Sequence, residues 1–272
     1  MAPPGRLVLL GHPVAHSLSP AFQNAALNAA GIATRYTALD VTDAALEPRL
    51  RELVRDGAAG NVTIPHKERV AQLCDELTPL AARLSAVNTW WSVNGRLHGD
   101  NTDVGGFDDA VVHLLGNIPV GVKVAVLGAG GSARAVVAAI SAWTDARVAI
   151  WARTVARAHA LVPLGPVGET TVEEFMAHAL RGADLVVNTT PIGMHDEQVP
   201  VNPGVLASGA ACLDLVYRRS GPTPFVQLSR AQGRRADDGL AMLIGQGARS
   251  WQRWFGVSPD IEVMTRAVQA ER

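Results

Sequence analysis

Lysine is almost missing. The chain holds two, Lys67 and Lys123, and every other cationic side chain is arginine. Arginine and alanine are abundant, a bias that blunts arguments from arginine usage and sharpens the question each lysine poses. An excess of either charge is missing too. The formal net charge is −1, which excludes the basic face of a nucleic-acid binder and an acidic tail. Cysteine is scarce: Cys74 and Cys212 lack metal-ligand spacing and sit in apolar-periodic segments. They read as buried reduced thiols, as in a cytoplasmic protein. No apolar run approaches a membrane span, and the apolar run in MAPPGRLVLLGHP is too short for a secretory signal. What remains is a soluble globular chain, long enough at 272 residues for one large or two modest domains.

The periodicities predict an α/β chain in two lobes. Strands are expected over 6–10, 35–41 and 58–63, alternating with helices over 19–30, 45–56, 67–77 and 80–84. Ser19 would be the N-cap of the first helix, with Pro20 behind it and Gly31 past its end. Residues 89–98 read as a hairpin turning at Asn94-Gly95. A connecting helix over 103–115 leads to a second alternating set. Its strands are expected over 122–127, 147–151, 184–188 and 211–216, and its helices over 132–142 and 155–161. Thr171-Val-Glu-Glu174 has the form of a capping box opening a further helix. A helix from Thr223-Pro224 ends at Gly233, and from Asp238 the chain is helical, interrupted near 256–259. Such an order implies mainly parallel sheets covered by helices, with a cleft between the lobes.

After the strand KVAVLG comes Gly128-Ala129-Gly130-Gly131-Ser132-Ala133, opening a helix. This is G-x-G-x-x-A in the context of a Rossmann unit, where glycines let a pyrophosphate approach the backbone and the helix N-terminus receives the anion. The next strand ends in Trp151-Ala152-Arg153-Thr154, with Arg157 following and no acid for a ribose 2′-hydroxyl. Two arginines and a hydroxyl suit a 2′-phosphate, pointing to NADP(H) over NAD(H).

Three stretches carry more polar groups than turns require. They are residues 11–20, with Ser17 and Ser19; residues 61–67, with Asn61, Thr63 and Lys67; and residues 85–103, with Asn88 and Asp103. The first two follow strands, where open α/β sheets place ligands. Together they suit a small polyhydroxylated substrate. Each also has a plainer reading: Asp103 as a helix cap, Lys67 as a solvated first-turn residue, Asn61 and Thr63 as partners of backbone at a strand end. His12, His16 and His66 are not spaced as metal ligands, so no metal site is expected.

At this point the residues resemble the shikimate dehydrogenase family along nearly the whole chain. The matching stretches are HSLSP (16–20), NVTIPHK (61–67), AVNT (86–89), GDNTD (99–103), GAGGSARA (128–135), ART (152–154), NTTPIGM (188–194), DLVY (214–217) and DGLAMLIGQGA (238–248). The resemblance implies a shikimate-binding catalytic domain over 1–103 and 238–272, whose C-terminal helices pack back on the first lobe, and a Rossmann NADP-binding domain over 104–237. Lys67 and Asp103 would be the catalytic pair. Ser17 and Ser19 would hold the substrate carboxylate, and Asn61, Thr63, Asn88, Tyr217 and Gln246 the ring hydroxyls. The backbone from Gly128 through Ala129, Gly130 and Gly131 to Ser132 would hold the pyrophosphate. Arg153, Thr154 and Arg157 would take the 2′-phosphate, and Leu215 and Gly239 would line the nicotinamide end. The family's usual His stands here as Gln23, its usual Asn before the Arg as Ala152, and the residue after Tyr217 is Arg218, followed by Arg219.

Such an enzyme would interconvert shikimate and 3-dehydroshikimate, with lysine at position 67 because arginine does not release its proton. The alternatives are a quinate/shikimate or aminoshikimate dehydrogenase with mixed cofactor use and, more remotely, a non-catalytic NADP- or shikimate-binding regulator. No nucleic-acid or membrane partner is expected, and the family includes monomers and homodimers.

Overall fold

The computed structural model describes residues 4–272. They form two compact units. One ends at Gly106 and resumes over Leu243–Arg272, and the other is Phe107–Met242.

The first unit is built on β1 (Leu7–Gly11), α1 (Ser19–Ala29), β2 (Tyr36–Asp40), α2 (Asp43–Arg55), β3 (Ala59–Val62), α3 (Lys67–Leu73), β4 (Glu76–Leu77), α4 (Pro79–Leu84), β5 (Thr89–Val93) and β6 (Arg96–Asp100). The strand order is β2-β1-β3-β5-β6-β4. β1 runs parallel to β2 and β3, and β4 to β6, while β5 is antiparallel to both neighbours. The β5–β6 pair follows from the hairpin: Asn94 and Gly95 both take positive φ, 52° and 75°, as a type I′ turn demands. β1 and β3 approach closely because Gly60 has no side chain; a Cβ there would lie 2.0 Å from the Val8 carbonyl. Leu46, Leu50, Leu53 and Val54 bury one stripe of α2 at helical spacing.

Helix α5 (Asp103–Leu115) leads out of this unit. The second comprises β7 (Lys123–Leu127), α6 (Gly131–Ile140), β8 (Arg147–Trp151), α7 (Val155–His159), β9 (Thr170–Val172), α8 (Met176–Leu180), β10 (Leu185–Asn188), β11 (Ala211–Asp214), α9 (Pro224–Ala231) and β12 (Ala236–Asp237). Its sheet, β12-β11-β10-β7-β8-β9, is parallel throughout. β7 lies inside it with Val124 to Leu127 fully buried, as a strand covered on both faces must be. Helix α10 (Leu240–Phe255) leads back, and α11 (Ile261–Ala270) packs on α1 within the first unit. Met264 and Val268 supply its buried face.

Three local expectations are corrected. Helix α3 does not run to 77. Asp75 leaves it to exchange hydrogen bonds with Leu97, N–H to carbonyl at 2.9 Å and carboxylate to N–H at 2.6 Å, and a sheet edge outcompetes a further helical turn. Thr171-Val-Glu-Glu174 opens no helix, because residues 170–172 pair with β8 and the Glu173 N–H bonds to the Ile150 carbonyl. Ser19 is not the N-cap. Leu18 takes that place, Ser19 is the first helical residue, and its N–H goes to the Ser17 hydroxyl at 3.2 Å. Both cysteines are free thiols, Cys212 buried and Cys74 partly so. Burial pushes the Cys74 thiol up to about 12.

Candidate active site

In the first unit the polar residues gather where β1 and β3 end. β3 delivers Asn61, Thr63 follows it, and Pro65-His66 turns the chain into α3. The His66 ring fixes that turn: Nε2 lies 2.6 Å from the Val41 carbonyl, which only accepts, so Nε2 carries the hydrogen. Lys67 then starts α3 with its carbonyl bonded to the Val87 N–H at 2.9 Å. Its ammonium is 2.7 Å from Asp103 Oδ2, the two side chains being 11% and 5% exposed. Neither is a solvated surface group.

Asp103 is the first residue of α5. Its second oxygen accepts from Asn88 Nδ2 at 2.8 Å, and its N–H donates to Asn101 Oδ1 at 3.0 Å. The Asn88 amide is oriented by the Thr102 N–H, which donates to Oδ1 at 2.7 Å. Its Nδ2 also faces Gln246 Oε1 at 3.1 Å. Asn61 is held likewise: Tyr36 donates to Oδ1 at 2.8 Å, and Nδ2 donates to Ser250 Oγ at 2.8 Å. Ser250 and Thr102 share a bond of 3.1 Å. One buried network thus joins Lys67, Asp103, Asn88, Gln246 and Asn61. Asp100 anchors its edge, accepting from Thr78 at 2.5 Å and pairing with Arg253 at 2.7 Å.

Ser17 and Ser19 are nearly buried in one turn after β1, and Thr63 meets that segment at Gly11, where a Cβ would lie 2.4 Å from the Thr63 methyl. Tyr217 belongs to the second unit. Thr102 lies in a stretch whose polarity is evident from sequence, and Ser250 follows Gln246 by one helical turn, a spacing that marks a shared face. Tyr36 carries no such signal. Among the described residues no His, Cys, Asp and Glu cluster could hold a metal.

In the second unit, Gly128 takes φ +117°, and a Cβ there would lie 2.4 Å from Thr189 Oγ1. A Cβ on Gly130 would meet nothing within 4 Å. Ala129, Gly130, Gly131 and Ser132 are therefore an accessible backbone opening α6, a helix of ten residues whose first N–H groups lack intrahelical partners. That arrangement fits a pyrophosphate. Arg153, Thr154 and Arg157 are exposed just past β8, with no carboxylate among residues 151–157. Leu215 and Gly239 meet directly, since a Cβ on Gly239 would lie 2.3 Å from the Leu215 carbonyl. Arg218 is engaged rather than solvated. It donates to the Gly193 carbonyl at 2.6 Å, pairs with Glu197 at 2.8 Å, and reaches the Asp196 carbonyl. Gln23 is a packing residue, fully buried, with Nε2 donating to the Gly247 carbonyl at 3.1 Å. Asp214, which heads the DLVY stretch but has no role assigned to it from sequence, is buried at the end of β11, and desolvation pushes its carboxyl up to about 6 despite three hydrogen-bond donors.

Residues 9–90 match the family model of the shikimate dehydrogenase substrate binding domain, and 239–269 that of the shikimate 5'-dehydrogenase C-terminal domain. A shikimate dehydrogenase (NADP(+)) from Methylobacterium radiotolerans is 41% identical, covering 94% of this chain and 93% of its own. The chain belongs to the shikimate dehydrogenase family. Among solved structures of that family, shikimate 5-dehydrogenase from Thermus thermophilus in complex with NADP(H) and shikimate superposes with a TM-score of 0.87 at 38% identity, covering 98% of this chain and 99% of that one. A quinate dehydrogenase from Corynebacterium glutamicum in complex with NAD superposes at 0.86 with 28% identity, covering 98% and 99%.

Proposed function

We propose that this chain interconverts shikimate and 3-dehydroshikimate with NADP(H), the substrate lying on the first unit and the dinucleotide on the second. The observation that carries the reading is the Lys67–Asp103 pair at 2.7 Å, nearly buried and fixed by Asn88 on its far side. When bound, NADP(H) supplies the hydride chemistry. The chain supplies position and the accompanying proton. Lys67 donates to the carbonyl oxygen in reduction and receives the hydroxyl proton in oxidation, with Asp103 holding it in place. Ser17 and Ser19 offer hydroxyls to the substrate carboxylate; Asn61, Thr63, Asn88, Gln246 and Tyr217 bind or orient the ring hydroxyls. Gly128 to Ser132 receive the pyrophosphate, Arg153, Thr154 and Arg157 the 2′-phosphate, and Leu215 and Gly239 the nicotinamide end. The reading includes a cytoplasmic location, which the two free thiols support, and a monomer or homodimer.

One assay tests it. Turnover is followed at the NADPH absorbance with shikimate or quinate against NADP+ or NAD+. Shikimate with NADP+ is expected to give the highest kcat/KM. A preference for quinate with NAD+ would move the chain to the quinate branch, and no turnover with any pairing would refute the enzymatic reading.

A further inference from the structure

We propose that Asp214 is a positioning residue for the dinucleotide: it holds the turn carrying Leu215, Val216 and Tyr217 in the shape that receives the nicotinamide end. This role rests on the NADP(H) reading of the second unit. Asp214 is fully buried. Oδ1 accepts from Asn188 Nδ2 at 2.8 Å and from the Val216 N–H at 3.1 Å, and Oδ2 accepts from the Thr223 hydroxyl at 2.7 Å. Each donor comes from a different segment. Asn188 ends β10, Val216 sits in the turn after β11, and Thr223 caps α9.

The contacts spread outward. The Asn188 side-chain oxygen accepts from the Thr190 N–H at 3.0 Å and hydroxyl at 2.7 Å, while its carbonyl takes the Leu215 N–H at 2.9 Å. The Val216 carbonyl takes the Gly239 N–H at 3.1 Å. So one carboxylate sets the turn, and the turn sets Gly239 against Leu215.

The choice of residue is informative. A buried carboxylate without a cation is costly, and the charged group facing Asp214 is Asp238, of the same sign. Burial alone would favour a neutral side chain. A carboxylate is the one short side chain that accepts from several directions and donates from none. Asparagine would turn an NH2 toward the Thr223 oxygen and lose an acceptor.

The test uses Asp214→Asn, Thr223→Val and Thr223→Ser in the full chain, with calorimetric titration of NADP+ and, separately, of adenosine 2′,5′-bisphosphate. The bisphosphate reports the adenosine end alone. Thr223→Val keeps the shape of the capping residue and removes the hydroxyl. It and Asp214→Asn are expected to weaken NADP+ about 10-fold, raise its KM likewise, and leave bisphosphate binding within about 2-fold. Thr223→Ser should restore NADP+ affinity. If both ligands weaken together, or if only the melting temperature falls, Asp214 has no positioning role. A wild type that binds neither ligand overturns the NADP(H) reading and this role with it. A wild type that binds both, with variants binding both equally well, leaves that reading standing and overturns the role of Asp214.

Discussion

Lysine and arginine bring the same charge to Asp103, and they differ in whether a proton can leave. Lys67→Arg should therefore keep shikimate affinity within a few fold and lower kcat by about 10²- to 10⁴-fold, the range of general acid–base catalysis. Steady-state kinetics checks it, and wild-type kcat would remove Lys67 from the proton path. This residue was legible because it is one of two lysines in a polar run after a strand. Its fixing partners were less so. Asn88 and Thr102 stand in polar stretches, but Tyr36 and Ser250 reach Asn61 across 25 and 189 residues. Periodicity carries no information about pairings that only tertiary packing creates.

At the scale of elements, the strand-to-helix turn at Gly128 allows a sharper prediction. Gly128→Ala combines φ +117° with a Cβ 2.4 Å from Thr189 Oγ1. It should cost about 1–3 kcal/mol of stability and displace the turn that faces the pyrophosphate, lowering NADP+ affinity; denaturant midpoints and titration measure the two effects. Asp214 gives a pH signature of unusual sign. Its folded-state pKa, about 6, lies above the ordinary carboxylate value of about 3.9. Its favourable contribution is therefore complete below about pH 4 and is lost as pH rises through about 6, on the order of 3 kcal/mol in all. Urea midpoints of wild type and Asp214→Asn between pH 4 and 7 should separate as this carboxyl ionises, the variant gaining relative to wild type with rising pH. Elements with strong period or turn chemistry, such as the Asn94-Gly95 hairpin and the β7–α6 turn, could be read from sequence. The end of α3 and the Thr171 stretch could not, because neighbouring strands offered hydrogen bonds that local propensity does not know about.

At the scale of the molecule, cofactor choice is a question of charge past β8. Arg153→Ala should lower kcat/KM with NADP+ about 10- to 100-fold, the worth of a charge-assisted bond, and leave NAD+ turnover nearly unchanged. Equal losses with both cofactors would mean that Arg153 supports the loop and does not read the phosphate. The two-unit organisation was legible from the repeated strand–helix alternation and the connecting helix at 103–115.

The first unit is interrupted in the chain by the whole of the second, and its polar network draws on Tyr36 and Ser250 alike. During synthesis the N-terminal part of this unit emerges without Trp254, which meets Tyr36, and without α11, which packs on α1. The inserted unit, continuous in sequence, has all its parts available earlier. Asn61 can meet Ser250 only after the whole second unit has been synthesised, so the lysine site is completed later than the strands that carry its first residues.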